Sequence, residues 1–337
     1  MTNRIPARPE LHIKPGKLDF VSLTVSHASL LPVPYNSQTL HLSRKASADG
    51  TSVHLGPIAL PDNTAIRMAL WRALHLEADA PRIPSRQLRS SLSLPRLAGK
   101  TRPDTAPSRV LLASASIVAR ARFVEDLLTS KIAAGISQYV ILGAGLDTFA
   151  QRYPQFSSQL HIFEIDQPSP QAWKRERLHQ LGLGIPPNLH LVPVNFEAGD
   201  TWWQKLTAAG FDSTRPAFIA STGVSMYLTR EAIIATLRQV AKLAPGSVLV
   251  MSFLLPIDQV DPSIRPGMER AVEGARASGT PFLSFFMPTD LLALARDAGF
   301  TQVEHVSADD LAQSYFANRP DGLRPPSNSE ELLIATT

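Results

Sequence analysis

At 337 residues, 44% hydrophobic and 18% charged, the chain has the make-up of an ordinary soluble globular protein, with room for one large or two modest cores. It contains no cysteine, which excludes disulfides, a thiolate metal site and a cysteine nucleophile. No apolar run approaches the roughly 18 residues of a membrane span, and the first residues, MTNRIPARPELH, lack the apolar centre of a signal peptide, so a cytoplasmic protein without a membrane partner is expected.

The net charge of +4 is unevenly placed: residues 1–110 carry 15 Lys and Arg against 7 Asp and Glu, and the remainder carries 18 against 22. A basic first third suits an acidic substrate or a solvated surface. Its cations are scattered, with few aromatics among them, which argues against nucleic acid. Residues 1–60 are broken by prolines, and Thr39–Leu42 with Ser52–Leu55 form a candidate hairpin around Ala48-Asp49-Gly50. Asp62-Asn63-Thr64 offers an N-cap to an amphipathic helix over Ala65–Glu77. Residues 81–107 read as a long basic loop or cover. A second helix spans Ser114–Ala134 and carries Arg120 and Arg122. Either arginine could point at a ligand, or pair on the surface with Glu125 or Asp126.

From residue 138 the pattern alternates strand and helix, the mark of an α/β fold with a doubly wound, mostly parallel, seven-stranded sheet. Strands are expected at Tyr139–Leu142, Leu160–Ile165, Leu189–Val194, Ala217–Thr222, Ser247–Leu254, Gln302–Val306 and Glu331–Ala335. Helices are expected near Pro170–Leu181, Trp202–Ala209, Arg230–Leu243, Arg265–Ser278 and Thr289–Ala298. Residues 1–110 then form an N-terminal extension and cap contributing to the substrate site, and 111–337 the principal domain. Residues 256–288, with Phe282, Phe285, Phe286 and Met287, serve either as a lid or as core.

The central stretch is QYVILGAGLDTFAQR, 138–152: a buried strand, a Gly143-Ala144-Gly145 turn, then Asp147. About 20 residues on, the second strand ends in Glu164 and Asp166. Glycines admit a ligand to the backbone, turn amides can donate to it, and a carboxylate at the second strand accepts hydrogen bonds from a ribose diol. The same pattern serves dinucleotides, and it also occurs in turns that bind nothing. Thr148 stands where a third glycine would pack a pyrophosphate-binding helix, which favours an adenosine ligand without phosphates, such as S-adenosylmethionine (SAM). At the third strand end, Asn195 could pair with an adenine edge and Phe196 could stack on it. At the fourth, Thr222 and Gly223 precede Tyr227, a polar handle near a reaction centre. The nine histidines show no metal-ligand spacing, and no Gly-x-Ser-x-Gly elbow is present, so neither a metal site nor a serine hydrolase is expected.

These residues resemble a known family. ARARFVEDLL, GISQYVILGAGLDTFAQR, FEIDQPSPQAWKRERL, VPVNFE, GVSMYLTREAIIATL and YFANRPDGLR are similar to class I SAM-dependent methyltransferases related to leucine carboxyl methyltransferases, and to their bacterial small-molecule branch with polyketide O-methyltransferases. The resemblance covers roughly residues 62–337. It implies that Arg120 pairs with the methionine carboxylate, that Gly143 to Gly145 wrap the methionine portion, that Asp166 holds the ribose, and that Asn195 and Phe196 bracket adenine. It also implies O-methyl transfer to a small-molecule carboxylate or hydroxyl, with S-adenosylhomocysteine (SAH) as product. Arg122, Phe285 and Phe316 are acceptor-side candidates, and Tyr227 is an orienting group. Two positions depart from the pattern. Asn195 stands where many relatives have Asp, and Thr222-Gly223 replaces the Glu-Gly of enzymes that methylate a protein C-terminus. A nicotinamide-dependent oxidoreductase and a non-catalytic SAM-binding scaffold are the competing classes.

Overall fold

The computed structural model describes residues 107–195, 201–320 and 322–337, with side chains from Ala115 onward, together with two short strands nearer the N-terminus. The chain divides into residues 1–36 and 37–337, and everything described belongs to the second unit. The helix expected over Ala65–Glu77 and the loop at 81–106 lie outside the described residues.

The two short strands are β1 (Thr39–Leu40) and β2 (Ile58–Ala59), paired antiparallel with Thr39 opposite Ala59. The rest of the expected hairpin, Ser52–Leu55 and the turn at Ala48-Asp49-Gly50, lies outside the described residues. Helix α1 runs from Pro107 to Ala133, beginning seven residues before the expected start at Ser114. Proline suits a first helical position, where its missing N–H costs nothing, so the proline that seemed to end a loop opens a helix. Gly135, at φ +102°, ends it.

Seven strands form the sheet: β3 (Gln138–Leu142), β4 (His161–Asp166), β5 (Leu189–Pro193), β6 (Phe218–Ser221), β7 (Val248–Leu254), β8 (Gln302–Val306) and β9 (Glu330–Thr336). Their order is β5-β4-β3-β6-β7-β9-β8, and only β9 runs antiparallel to its neighbours. The chain reverses direction across the sheet between β3 and β6, and that switch point is where open α/β sheets bind ligands.

Every residue of β3, β6 and β7 is buried, as befits strands covered on both faces. The pleat divides them: Val140 and Leu142 enter one core, Tyr139 and Ile141 the other. The first core packs against α5 (Arg230–Val240) through Ile233 and Leu237, and against α7 (Pro288–Ala298) through Leu291 and Ala295. The second packs against α1 through Val118, Leu128 and Ile132, and against α8 (Ala308–Phe316) through Leu311 and Phe316. Three further helices follow β3, β4 and β5: α2 (Phe149–Arg152), α3 (Pro168–Gln180) and α4 (Trp202–Ala208).

Neither α2 nor α8 is among the expected elements. The start of α8 is signalled by Ser307 and Asp310, which form a reciprocal capping box. The 256–288 segment holds helix α6 (Arg265–Ala277) followed by an extended strap. The strap is tied down by hydrogen bonds: Leu283 N–H donates to Met226 O (2.6 Å), Ser284 Oγ to Leu228 O (2.5 Å) and Phe286 N–H to Leu254 O (2.9 Å). Phe286 is core, whereas Phe282 and Phe285 are half-buried. Among the described residues, no helix is long and apolar enough to cross a membrane.

Candidate functional site

The carboxyl ends of β3, β4 and β6 meet in one place. At the end of β3, Gly143 sits at φ +70° and donates its N–H to Ile165 O (2.9 Å), while Ala144 donates to the same oxygen (3.1 Å). A Cβ at Gly143 would lie 2.4 Å from Val224 Cγ2, so only glycine lets the β3 turn pass the turn after β6. Gly145 N–H donates to Asp166 Oδ2, and Gln167 N–H donates to Asp166 Oδ1 (2.7 Å). Asp166 is half-buried and fixed from two sides by backbone donors. The turn amides, expected to serve a ligand, are largely spent inside the protein. What the glycines provide is close approach.

Asp147 Oδ1 accepts from Phe149 N–H (2.7 Å), capping the start of α2 with a carboxylate. Val194 N–H donates to Asp166 O (2.9 Å), which draws the end of β5 to the same edge and places exposed Asn195 beside Asp166. Phe196 lies outside the described residues.

Glu164 differs from Asp166 in environment. It is 1% exposed, its Oε2 meets Lys174 Nζ from α3, and Oε1 has no hydrogen-bond partner. Burial pushes its carboxyl up to about 7, with Lys174 pulling down and Asp147 and Asp166 adding to the rise. Gln171, also on α3, donates to Glu164 O (2.6 Å). The structure therefore places Glu164 beneath the site as part of a buried pair, and leaves Asp166 as the acid at the surface of the turn.

At the end of β6, Gly223 sits at φ +73° and donates its N–H to Ser252 Oγ (2.8 Å). Ser225 Oγ donates to Ser252 O (2.6 Å), so buried Ser252 on β7 holds this turn at two points. Arg120, on α1, lies directly against it: a Cβ at Gly223 would be 2.8 Å from Arg120 Nη2. Arg120 Nη1 pairs with Glu330 Oε1 at the start of β9, with both side chains nearly buried. Half-buried Thr222 stands beside Gly223, and a short 3-10 turn, Ser225–Tyr227, carries Tyr227 to an edge-on contact with Phe282 of the strap (5.3 Å between centroids).

The remaining acceptor-side candidates separate. Arg122 pairs with Asp126 (2.9 Å), the surface pairing its spacing allows, and Tyr315 donates to the same carboxylate (3.1 Å). Glu125 turns the other way, to Arg152 and Tyr153. Phe316 is buried in the second core. Phe285 lines an open groove of about 510 Å³ with Pro256, Ile257, Asp258, Arg265 and Glu269. Among the described residues no group of three or more His, Asp or Glu is placed to hold a metal ion. Lys174, Ser252 and Glu330, which position the site, are absent from the sequence-based candidates. Each acts across the fold, and nothing local marks it.

The strand order, the switch-point turn and the acid after β4 define a class I SAM-dependent methyltransferase fold. Comparison with known proteins narrows this. The chain belongs to the leucine carboxyl methyltransferase family, whose model matches residues 65–241. Bacillus subtilis YktD, provisionally named a SAM-dependent methyltransferase, is 35% identical over 207 residues, 61% of this chain and 67% of YktD. A similarly named protein of Mycolicibacterium gilvum is 36% identical over 47% of this chain and 51% of its own length. A Thermobifida fusca crystal structure, provisionally called a methyltransferase, shows a loose likeness: TM-score 0.49, 20% identity, 66% of this chain and 82% of that one.

Proposed function

We propose that the protein transfers the methyl group of SAM to an oxygen of a small molecule, a carboxylate or a hydroxyl. The observation that carries the cofactor assignment is Asp166, fixed by two backbone N–H groups at the lip of a glycine turn. A carboxylate can accept hydrogen bonds from the two hydroxyls of a ribose. Gly143 to Gly145 wrap the methionine portion, Arg120 pairs with its carboxylate, and Asn195 with Phe196 brackets the adenine. Thr222 and Gly223 lie below the donor. When bound, the cofactor supplies an electrophilic methyl group on a sulfonium.

The protein's part is alignment, because an in-line displacement depends on holding the two reactants at the right distance and angle. A carboxylate acceptor arrives ionised and needs no base. A hydroxyl acceptor has a proton to lose. Tyr227 is assigned an orienting hydrogen bond and not the role of base. The open groove at Phe285 begins just beyond β7, on the same strap whose Phe282 meets Tyr227.

Calorimetric titration with SAH tests the assignment, with Asp166→Ala as control. Micromolar binding by the wild-type protein, lost in the variant, is expected. Wild-type protein that does not bind SAH overturns it.

A further inference from the structure

We infer that Glu330 is a positioning residue for the cofactor site, acting through Arg120. The inference rests on the reading of Arg120 as the partner of the cofactor's amino-acid carboxylate. Glu330 opens β9, opposite Leu254 at the carboxyl end of β7, so the antiparallel insertion of β9 delivers a carboxylate to the edge where the ligand turns gather. Its Oε1 takes Nη1 of Arg120, and both side chains are about nine-tenths buried. The other terminal nitrogen, Nη2, is pressed against Gly223, where a Cβ would come within 2.8 Å. Gly223 is itself pinned through its N–H to Ser252. The guanidinium is thus held between a carboxylate on one side and a bare backbone on the other. A planar fork fixed in this way presents its donors in one direction, which is what bidentate recognition of a carboxylate requires.

Charge and orientation predict opposite signs when Glu330 is neutralised. By Coulomb's law alone, removing a carboxylate beside Arg120 leaves a stronger cation and tightens the hold on a ligand's carboxylate. If Glu330 serves to fix the fork, its loss frees a side chain rich in rotamers and weakens the hold. Orientation should win here. The amino-acid end of the cofactor carries an ammonium beside its carboxylate, so a guanidinium–carboxylate pair matches that zwitterion in charge and the Coulomb gain is small.

The test is calorimetric titration of the full chain with SAH and with 5′-methylthioadenosine, which has the same adenosine but no amino-acid end. Wild-type protein is compared with Glu330→Ala, Glu330→Gln, Arg120→Met and the double variant Arg120→Met/Glu330→Ala. Glu330→Ala should weaken SAH about tenfold and leave methylthioadenosine within about twofold. Glu330→Gln, whose amide oxygen still accepts from Nη1, should recover most of the loss, and the double variant should bind SAH no worse than Arg120→Met. Tighter SAH binding by Glu330→Ala, or equal losses for both ligands, overturns the positioning role while Arg120→Met still shows its selective loss. If Arg120→Met itself leaves SAH binding unchanged, the carboxylate assignment of Arg120 fails first and the role of Glu330 falls with it.

Discussion

Lys174→Met should destabilise the protein strongly at pH 8 and weakly at pH 5. Lys174 and Glu164 have side chains 0% and 1% exposed, and only one Glu164 oxygen is matched. Burial holds the Glu164 carboxyl at about 7 against an ordinary 4.5. A raised pKa means that the folded state binds this proton more tightly than the unfolded chain. The contribution of Glu164 is therefore fully present below the unfolded value and is lost as pH rises through about 7. At 1.36 kcal/mol per pKa unit the window is worth about 3 kcal/mol. Removing Lys174 takes away the one influence that keeps the carboxyl from rising further. At pH 8 the variant must either bury an unpaired carboxylate or hold a proton against the solvent, and breaking one side of a buried pair costs about 3–5 kcal/mol. For a chain of this size that corresponds to a fall of roughly 4–7 °C in Tm. At pH 5 Glu164 holds its proton with or without Lys174; the variant loses a hydrogen bond and some packing but also removes a buried ammonium facing a neutral carboxyl, so the net loss is at most about 1 kcal/mol. Thermal unfolding across pH 5–8 reads the difference. Glu164→Gln/Lys174→Met, which removes both charges, should regain at least half of the pH 8 loss. Equal destabilisation at pH 5 and pH 8, or a double variant no better than Lys174→Met at pH 8, refutes the reasoning.

Gly143→Ala combines a left-handed backbone with a Cβ 2.4 Å from Val224 Cγ2. It should cost about 2–4 kcal/mol in chemical denaturation, and adding Val224→Ala should recover the steric part but not the backbone strain. Ser307→Ala removes the N-cap of α8, which accepts from Asp310 N–H at 3.1 Å. A loss of about 1 kcal/mol in thermal unfolding is expected.

The sheet was legible because its strands are short apolar runs between glycine and proline signals. All seven were located to within one residue or so at each end, and the helices following β4, β5, β6 and β7 were also found. Periodicity cannot give strand order, so the antiparallel entry of β9 between β7 and β8 had no local sign. Helix α8 was passed over although Ser307-x-x-Asp310 announces it. In the site, glycines and acids mark themselves by type and spacing. Their environments do not: the resemblance singles out Asp166 for the ribose, but only the fold shows Glu164 buried on Lys174 and Asp166 held by the turn. Arg122 and Phe316 were singled out by residue type. The first meets its own helix's Asp126 and the second enters the core.

The same local geometry bears on which nucleotide the turn can accept. A pyrophosphate site needs backbone N–H groups aimed at the ligand and a helix start that favours negative charge. Here the amides of Gly143 and Ala144 go to Ile165 O and that of Gly145 to the Asp166 carboxylate. The helix that follows is four residues long, and its first N–H is given to the carboxylate of Asp147. A phosphate placed there would lose its donors and face two fixed negative charges, whereas an adenosine joined to a zwitterion loses nothing. NADH at millimolar concentration should therefore fail to displace SAH in a competition titration, and Asp147→Asn, which removes one of the two charges, should not by itself create NADH binding because the amides stay occupied. Displacement of SAH by NADH at comparable affinity would show that the turn rearranges to free its N–H groups, and the exclusion of phosphate would fail at that step.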